Sequence, residues 1–179
     1  MATEMLKIGS QAPNFNLPAV EGKTYSLDSF KDKKLLVVVF SCNHCPYVQA
    51  YEDRIKRIQV DYKDQLQVVA INSNEDINYP EDSFEEMKKR ANQKQFNFPY
   101  LRDETQEIAK AYGSTHTPEI FLFDNDRKMV FHGKIDDNWQ DEKNAKSKYL
   151  RNAIDEMLAG KSISVPETFT IGCTIKWKR

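Results

Sequence analysis

Cys42-Asn43-His44-Cys45 sets two thiols at the C-x-x-C spacing, close enough to shut into a short disulfide ring. The pair follows the most apolar run of the chain, Lys34 to Ser41, and precedes an amphipathic helical pattern. A strand that delivers two cysteines onto the first turn of a helix makes a dithiol redox centre, because that turn's unpaired N–H groups and dipole stabilise a thiolate. On this reading Cys42 is the nucleophile, and Cys45, inside the first turn with Pro46, resolves the mixed disulfide. Asn43 and His44 fill the gap. A cation at His44 would favour thiolate and make the disulfide more oxidising. Pro46 starts the helix where its missing N–H costs little.

The competing chemistry for such a pair is zinc. A tetrahedral site wants four N/S ligands, and the chain has no second C-x-x-C and no H-x3–5-H pair. No metal and no cofactor are therefore expected. Glu75 and Glu119 are the candidate proton acceptors near the dithiol, each also readable as a solvated loop or strand-end carboxylate. His116 is placed to flank a substrate groove, and His132 reads as structural. The odd thiol is Cys173. It is the thirteenth residue after Gly160, far enough along to span about 40 Å when extended and so to reach the dithiol. Against that, Ile171, Cys173, Ile175 and Trp177 share one face of a strand-like run, which predicts a packed core thiol.

The elements that must position these groups follow from periodicity. Asn14–Leu17 and Thr24–Leu27 read as short extended pieces around Glu21-Gly22. Residues 35–40 and 66–71 read as buried strands. Between them Tyr47, Tyr51, Ile55, Ile58 and Tyr62 mark one face of a helix, with Arg54, Lys56 and Arg57 largely on the others. The stretch Asn72 to Glu81 reads as a long loop. Ser83 with Glu86 is a capping box before a second helix, and Asp103 with Gln106 caps a brief one that Gly113 stops. Residues 120–123 and 129–132 flank a turn at Asp124 to Arg127. A last helix is predicted over 143–159, and residues 161–179 form a tail. Strands alternating with helices, then a hairpin and a helix, predict an α/β sheet of mixed direction.

At 179 residues with 40% hydrophobic and 30% charged content, the chain suits one soluble domain, 1–179. A formal net charge of −1 gives no electrostatic reason to expect nucleic acid or a membrane as partner. No signal peptide is visible, and the longest apolar stretch is far below the roughly 20 residues of a membrane span, so a cytoplasmic location is expected.

The element order around the C-x-x-C pair resembles the thioredoxin fold. That resemblance implies a central mixed sheet flanked by helices and a cis-proline at Thr117-Pro118 facing the dithiol. Thr117 would then supply main-chain contacts to an extended substrate. Ile8-Gly-Ser-Gln-Ala-Pro-Asn-Phe-Asn-Leu17, with Gly22 and Ser26-Leu27, resembles the opening hairpin of redoxins in the alkyl hydroperoxide reductase/thiol-specific antioxidant superfamily, here an extension over residues 1–30. Cys42 to Tyr47, Gly133 to Asp137 and Gly172 to Trp177 resemble a thioredoxin-like branch of it. The resemblance implies a thiol-disulfide oxidoreductase with Cys42, Cys45 and Pro118 at its site. Its partners would be protein or small-molecule thiols and disulfides.

Two departures stand out. The buried acid that thioredoxin holds six residues before its first cysteine is Leu36 here. The Pro-x-x-x-Thr-x-x-Cys of peroxiredoxins finds Val38 and Cys42 in its slots if read to Cys45, or Leu35 and Val39 if read to Cys42. A peroxidase-like antioxidant and a non-catalytic redox-sensing or zinc-holding module are the alternative functions.

Overall fold

The computed structural model describes residues 4–179 and opens with two short paired strands, β1 (Leu17–Pro18) and β2 (Thr24–Tyr25). There follow β3 (Leu35–Ser41), α1 (Pro46–Asp61), β4 (Leu66–Asn72), α2 (Phe84–Gln93), β5 (Tyr100–Arg102) and α3 (Glu107–Tyr112). The chain continues through β6 (His116–Thr117), β7 (Glu119–Phe123), β8 (Met129–Gly133), α4 (Tyr149–Leu158) and β9 (Cys173–Thr174). The central sheet runs β5-β4-β3-β7-β8, with β4 parallel to β3 and β5, and β7 antiparallel to β3 and β8. That is a mixed sheet of the thioredoxin type. Among the described residues no helix is long and apolar enough to cross a membrane.

Every residue of β3 is buried, as an unbroken apolar run in the middle of a sheet requires. Leu35, Val37 and Val39 face Tyr51, Ile55 and Ile58 of α1. Leu36, Val38 and Phe40 face Phe15, Phe30 and Tyr112 on the opposite side. Side chains of this size each contribute about 1.5–3 kcal/mol on full burial. The two-sided packing therefore fixes the end of β3 from which the dithiol projects.

Arg54 departs from the expected solvated face. It is buried, its Nη1 donates to Asp136 Oδ2 at 2.7 Å, and Tyr51 Oη donates to Asp136 Oδ1 at 2.8 Å. The stretch Gly133 to Asp137 thus anchors the helix that follows the dithiol.

The last helix starts at Tyr149 rather than 143. Residues 142–144 make one 3-10 turn, Lys146 N–H donates to Asp137 Oδ1, and Asp137 N–H donates to Ser147 O. Those bonds to a neighbouring loop hold 145–148 out of the helix. At α3 the expected cap shifts in detail. Gln106 is left-handed (φ 67°), and Asp103 caps from farther back, accepting from Ile108 and Ala109 N–H. Ser83 caps α2 by accepting from Glu86 N–H, whereas the Glu86 carboxylate turns to Lys89.

The tail does not form one buried strand. Only Ile175 is fully buried, Cys173 is half-buried, and Ile171 and Trp177 are exposed. The ladder is two residues long, with Thr117 opposite Cys173 and His116 opposite Thr174. The alternation predicted over 170–178 lacks the long ladder that would have enforced it.

Candidate active site

The helix begins at Pro46 with Cys45 as its N-cap, so the first turn's N–H groups point at the second cysteine. Cys42 lies at the end of β3. Both sulfurs are covered: Cys42 is 1% exposed and Cys45 0%. Cys42 Sγ lies 3.4 Å from Thr117 Oγ1, and Cys45 Sγ donates to Thr117 O at 3.5 Å when protonated. The Thr117–Pro118 peptide is cis. Cys42, Cys45, Thr117 and Pro118 thus meet at one point.

Electrostatics separate the two sulfurs. A hydrogen bond from the Cys42 thiol lowers Cys45 most; contacts from Cys173 and the Val48 N–H add to it, and Cys45 falls to about 5 despite its burial. Cys42 moves the other way, well above the ordinary thiol range, because it donates to Cys45, is buried and faces Asp82. The pair thus holds one proton and one negative charge between its two sulfurs. The helix starts where the sequence put it, with Cys45 and Pro46 at its first turn.

The pair should titrate as a unit. In the fully reduced protein, thiolate absorbance is expected to appear in a single-thiolate step near pH 5, with the second step above the ordinary thiol range. Two equivalent steps in the ordinary range would contradict this arrangement.

Asp82 is the carboxylate that the sequence did not reveal. It is fully buried, between the loop after β4 and the start of α2, and it takes hydrogen bonds from Asn43 N–H (2.6 Å), Asn74 Nδ2 (2.8 Å) and Asn72 Nδ2 (3.4 Å). His44 Nδ1 approaches it at 2.5 Å without hydrogen-bond alignment, and the His44 ring stacks on Tyr79. A buried acid thus stands beside the dithiol although Leu36 occupies the position where thioredoxin carries one. No periodic pattern marks Asp82, because a loop brings it there.

Cys42, His44 and Asp82 offer ligand atoms within 4.8 Å of one another. The Asp82 oxygens are already engaged by three amide donors, so Asp82 packs in a hydrogen-bonded polar cluster beside Cys42. Asn43 proves to be a structural clamp. Its side chain donates to Glu81 O and accepts from Tyr100 Oη, so it ties the dithiol turn to neighbouring elements.

The two acids chosen from sequence have other employment. Glu75 accepts from the Asn78 backbone, the Asn78 side chain and Ile77 N–H, which holds it below the ordinary carboxylate range. Glu119 is buried, which alone would raise it. His132 Nε2 at 2.7 Å and the Thr115 and His116 N–H groups more than offset that and hold it low. Each carboxylate orders its own loop, and the one beside Cys42 is Asp82. His132 is structural, while His116 is half-buried on β6, its Nδ1 2.8 Å from Thr115 Oγ1.

Cys173 is the main surprise. It packs against Cys42, Cys45 and Val48, close enough for its thiol and backbone N–H to act on the Cys45 sulfur. Burial, followed by the contact with Cys45, pushes Cys173 up to about 11. The packed core thiol expected from alternation is instead a third sulfur at the site.

The Redoxin family profile matches residues 7–149. The chain is 30% identical over 131 residues to the thiol-disulfide oxidoreductase ResA of Bacillus anthracis, covering 71% of this chain and 69% of that protein. It is 41% identical to an uncharacterized conserved protein from Geobacillus kaustophilus, with a TM-score of 0.91 over 97% of this chain and 94% of the other. The thioredoxin domain of a thiol-disulfide oxidoreductase from Bacteroides vulgatus shares the fold at 21% identity and a TM-score of 0.62, over 71% of this chain and 88% of that one.

Proposed function

The chain belongs to the redoxin family and is a thiol-disulfide oxidoreductase, and from that premise we propose that exchange runs through Cys42 and Cys45 beside Pro118. The observation that carries this reading is the meeting of both sulfurs with Thr117 at the cis Thr117–Pro118 bond, with Cys45 at the N-cap of α1. Cys45 takes the one proton the pair shares, and Cys42 attacks a substrate disulfide as the thiolate. A Cys42–substrate disulfide forms, and one substrate sulfur leaves as a thiolate and takes the proton from Cys45. Cys45 then attacks Cys42 Sγ, closing the Cys42–Cys45 disulfide and releasing the second substrate thiolate. Protein or small-molecule disulfides are the substrates by this chemistry.

The charges near Cys42 set its poise. Asp82 disfavours a thiolate there, and a cation at His44 would offset Asp82. Peroxidase chemistry has no comparable support, since Leu35, Val38 and Val39, which fill the peroxide-positioning slots, are packed into the two faces of β3.

Incubating the Cys45→Ser variant with oxidised glutathione tests the order of attack. A glutathione adduct should accumulate on Cys42, because its resolving partner Cys45 is gone. An adduct that accumulates on Cys45 in Cys42→Ser, with none on Cys42 in Cys45→Ser, would reverse the two roles.

A further inference from the structure

The C-terminal tail is docked along its length rather than trailing. Thr168 N–H donates to His132 O, Ile175 N–H to Thr115 O at 2.9 Å, and Lys176 N–H to Asn74 Oδ1 at 2.8 Å. Gly172 passes so close to β6 that a Cβ there would stand 2.1 Å from Thr117 O and 2.7 Å from Thr117 C. Thr117 O is the same carbonyl that contacts Cys45 Sγ. The tail thereby occupies the Thr117 edge, where an extended substrate would otherwise pair, and sets Cys173 against Cys45.

A dithiol that exchanges with two partners needs a route to each. Cys42 lies beneath the His44 turn, and Cys45 lies beneath the tail, fully covered. On the Cys45 side the sulfur that reaches toward solvent is Cys173, which is half-buried. We infer that Cys173 is a third redox cysteine, which takes the disulfide over from the buried pair through Cys45 and presents it at the surface. This relay rests on the Cys42–Cys45 exchange proposed above.

The step balances without an outside reagent. Cys173 attacks Cys45 Sγ of the Cys42–Cys45 disulfide. The Cys45–Cys173 bond forms as the Cys42–Cys45 bond breaks, and Cys42 Sγ leaves with the electron pair and takes the proton that Cys173 gives up. One disulfide exists before and after. Thr117 Oγ1, 3.4 Å from Cys42 Sγ, is placed to hydrogen-bond the leaving sulfur. An external thiol then attacks Cys173 Sγ and frees Cys45. A second thiol attacks the resulting mixed disulfide, leaving Cys173 reduced and the external pair oxidised. Run backwards, the same steps carry a disulfide inward. The contact and charge of Cys45 that raise Cys173 in the reduced protein vanish once Cys45 is oxidised, so Cys173 becomes more acidic when it is needed.

The test follows disulfides over time in the full-length chain. Reduced protein is mixed with one equivalent of oxidised glutathione, quenched with acid at intervals, alkylated and mapped. Cys42–Cys45 should appear first and Cys45–Cys173 after it. In Cys173→Ala the oxidised protein should stop at Cys42–Cys45. Its reduction by added dithiothreitol should be slower by at least about tenfold, the loss of an intramolecular attack. Gly172→Ala keeps all three thiols while its Cβ drives the tail from Thr117, so the Cys45–Cys173 share should fall severalfold. Finding Cys42–Cys45 alone in the wild type, with equal reduction rates in Cys173→Ala, overturns the relay and leaves the dithiol reading intact. Finding no Cys42–Cys45 disulfide at any time overturns both.

Discussion

Cys42→Ser should lower steady-state disulfide exchange by at least about a hundredfold, and the Cys42→Ser/Cys45→Ser double variant should lose hardly more, because groups that act as one unit are not additive. The two sulfurs share one proton and one negative charge, and either alone can make a mixed disulfide but cannot complete the cycle. Serine is nearly isosteric, and both sites are packed, so circular dichroism and thermal melts of each variant separate lost chemistry from lost fold. Turnover measured against a dithiol donor and a disulfide substrate reads the effect. If the double variant lost the product of two independent single losses, the cysteines would be acting separately and the shared-proton mechanism would fail.

The parts of this site that could be read from sequence are those fixed by short-range pattern. The apolar run ending at Ser41, the C-x-x-C pair and the helix with Tyr51, Ile55 and Ile58 on one face follow from periodicity and spacing within about 20 residues of chain, while Thr117-Pro118 was placed by the resemblance to the thioredoxin fold. The parts that could not be read are set by distant packing. Asp82 reaches Cys42 through the loop after β4, where Asn72 and Asn74 hold its carboxylate. Cys173 reaches Cys45 because Gly172 lets the tail backbone lie against Thr117, a contact between positions far apart in sequence. The helix start was legible too, with Cys45 and Pro46 at its first turn.

Arg54 and residues 143–148 show the same division in the scaffold. Helical spacing alone sends Arg54 to solvent, and only the position of Asp136 draws it inward. Charged, helix-compatible residues at 143–148 satisfy local propensity, yet Asp137 takes their backbone into a loop. Propensity is a weak prior where a tertiary partner offers better hydrogen bonds.

Asp82→Ala and Asp82→Asn should separate what this acid does for the fold from what it does for the chemistry. Asp82 is wholly buried and accepts from Asn43, Asn72 and Asn74 while His44 stands against it. Alanine leaves those donors without an acceptor, and breaking a buried charged network of this kind costs about 3–5 kcal/mol. Asparagine keeps the shape and one acceptor, so it should cost distinctly less. Both changes remove the negative charge that disfavours a thiolate on Cys42. Cys42 should therefore become more acidic, the reduced form more stable, and the disulfide more oxidising. A tenfold gain in thiolate population corresponds to about 1.4 kcal/mol, or about 30 mV for the two-electron couple. Chemical denaturation reads the stability, and a glutathione redox titration reads the potential. An Asp82→Asn potential equal to the wild type's would mean that His44 already cancels the charge, making Asp82 a structural acceptor with no hold on the dithiol.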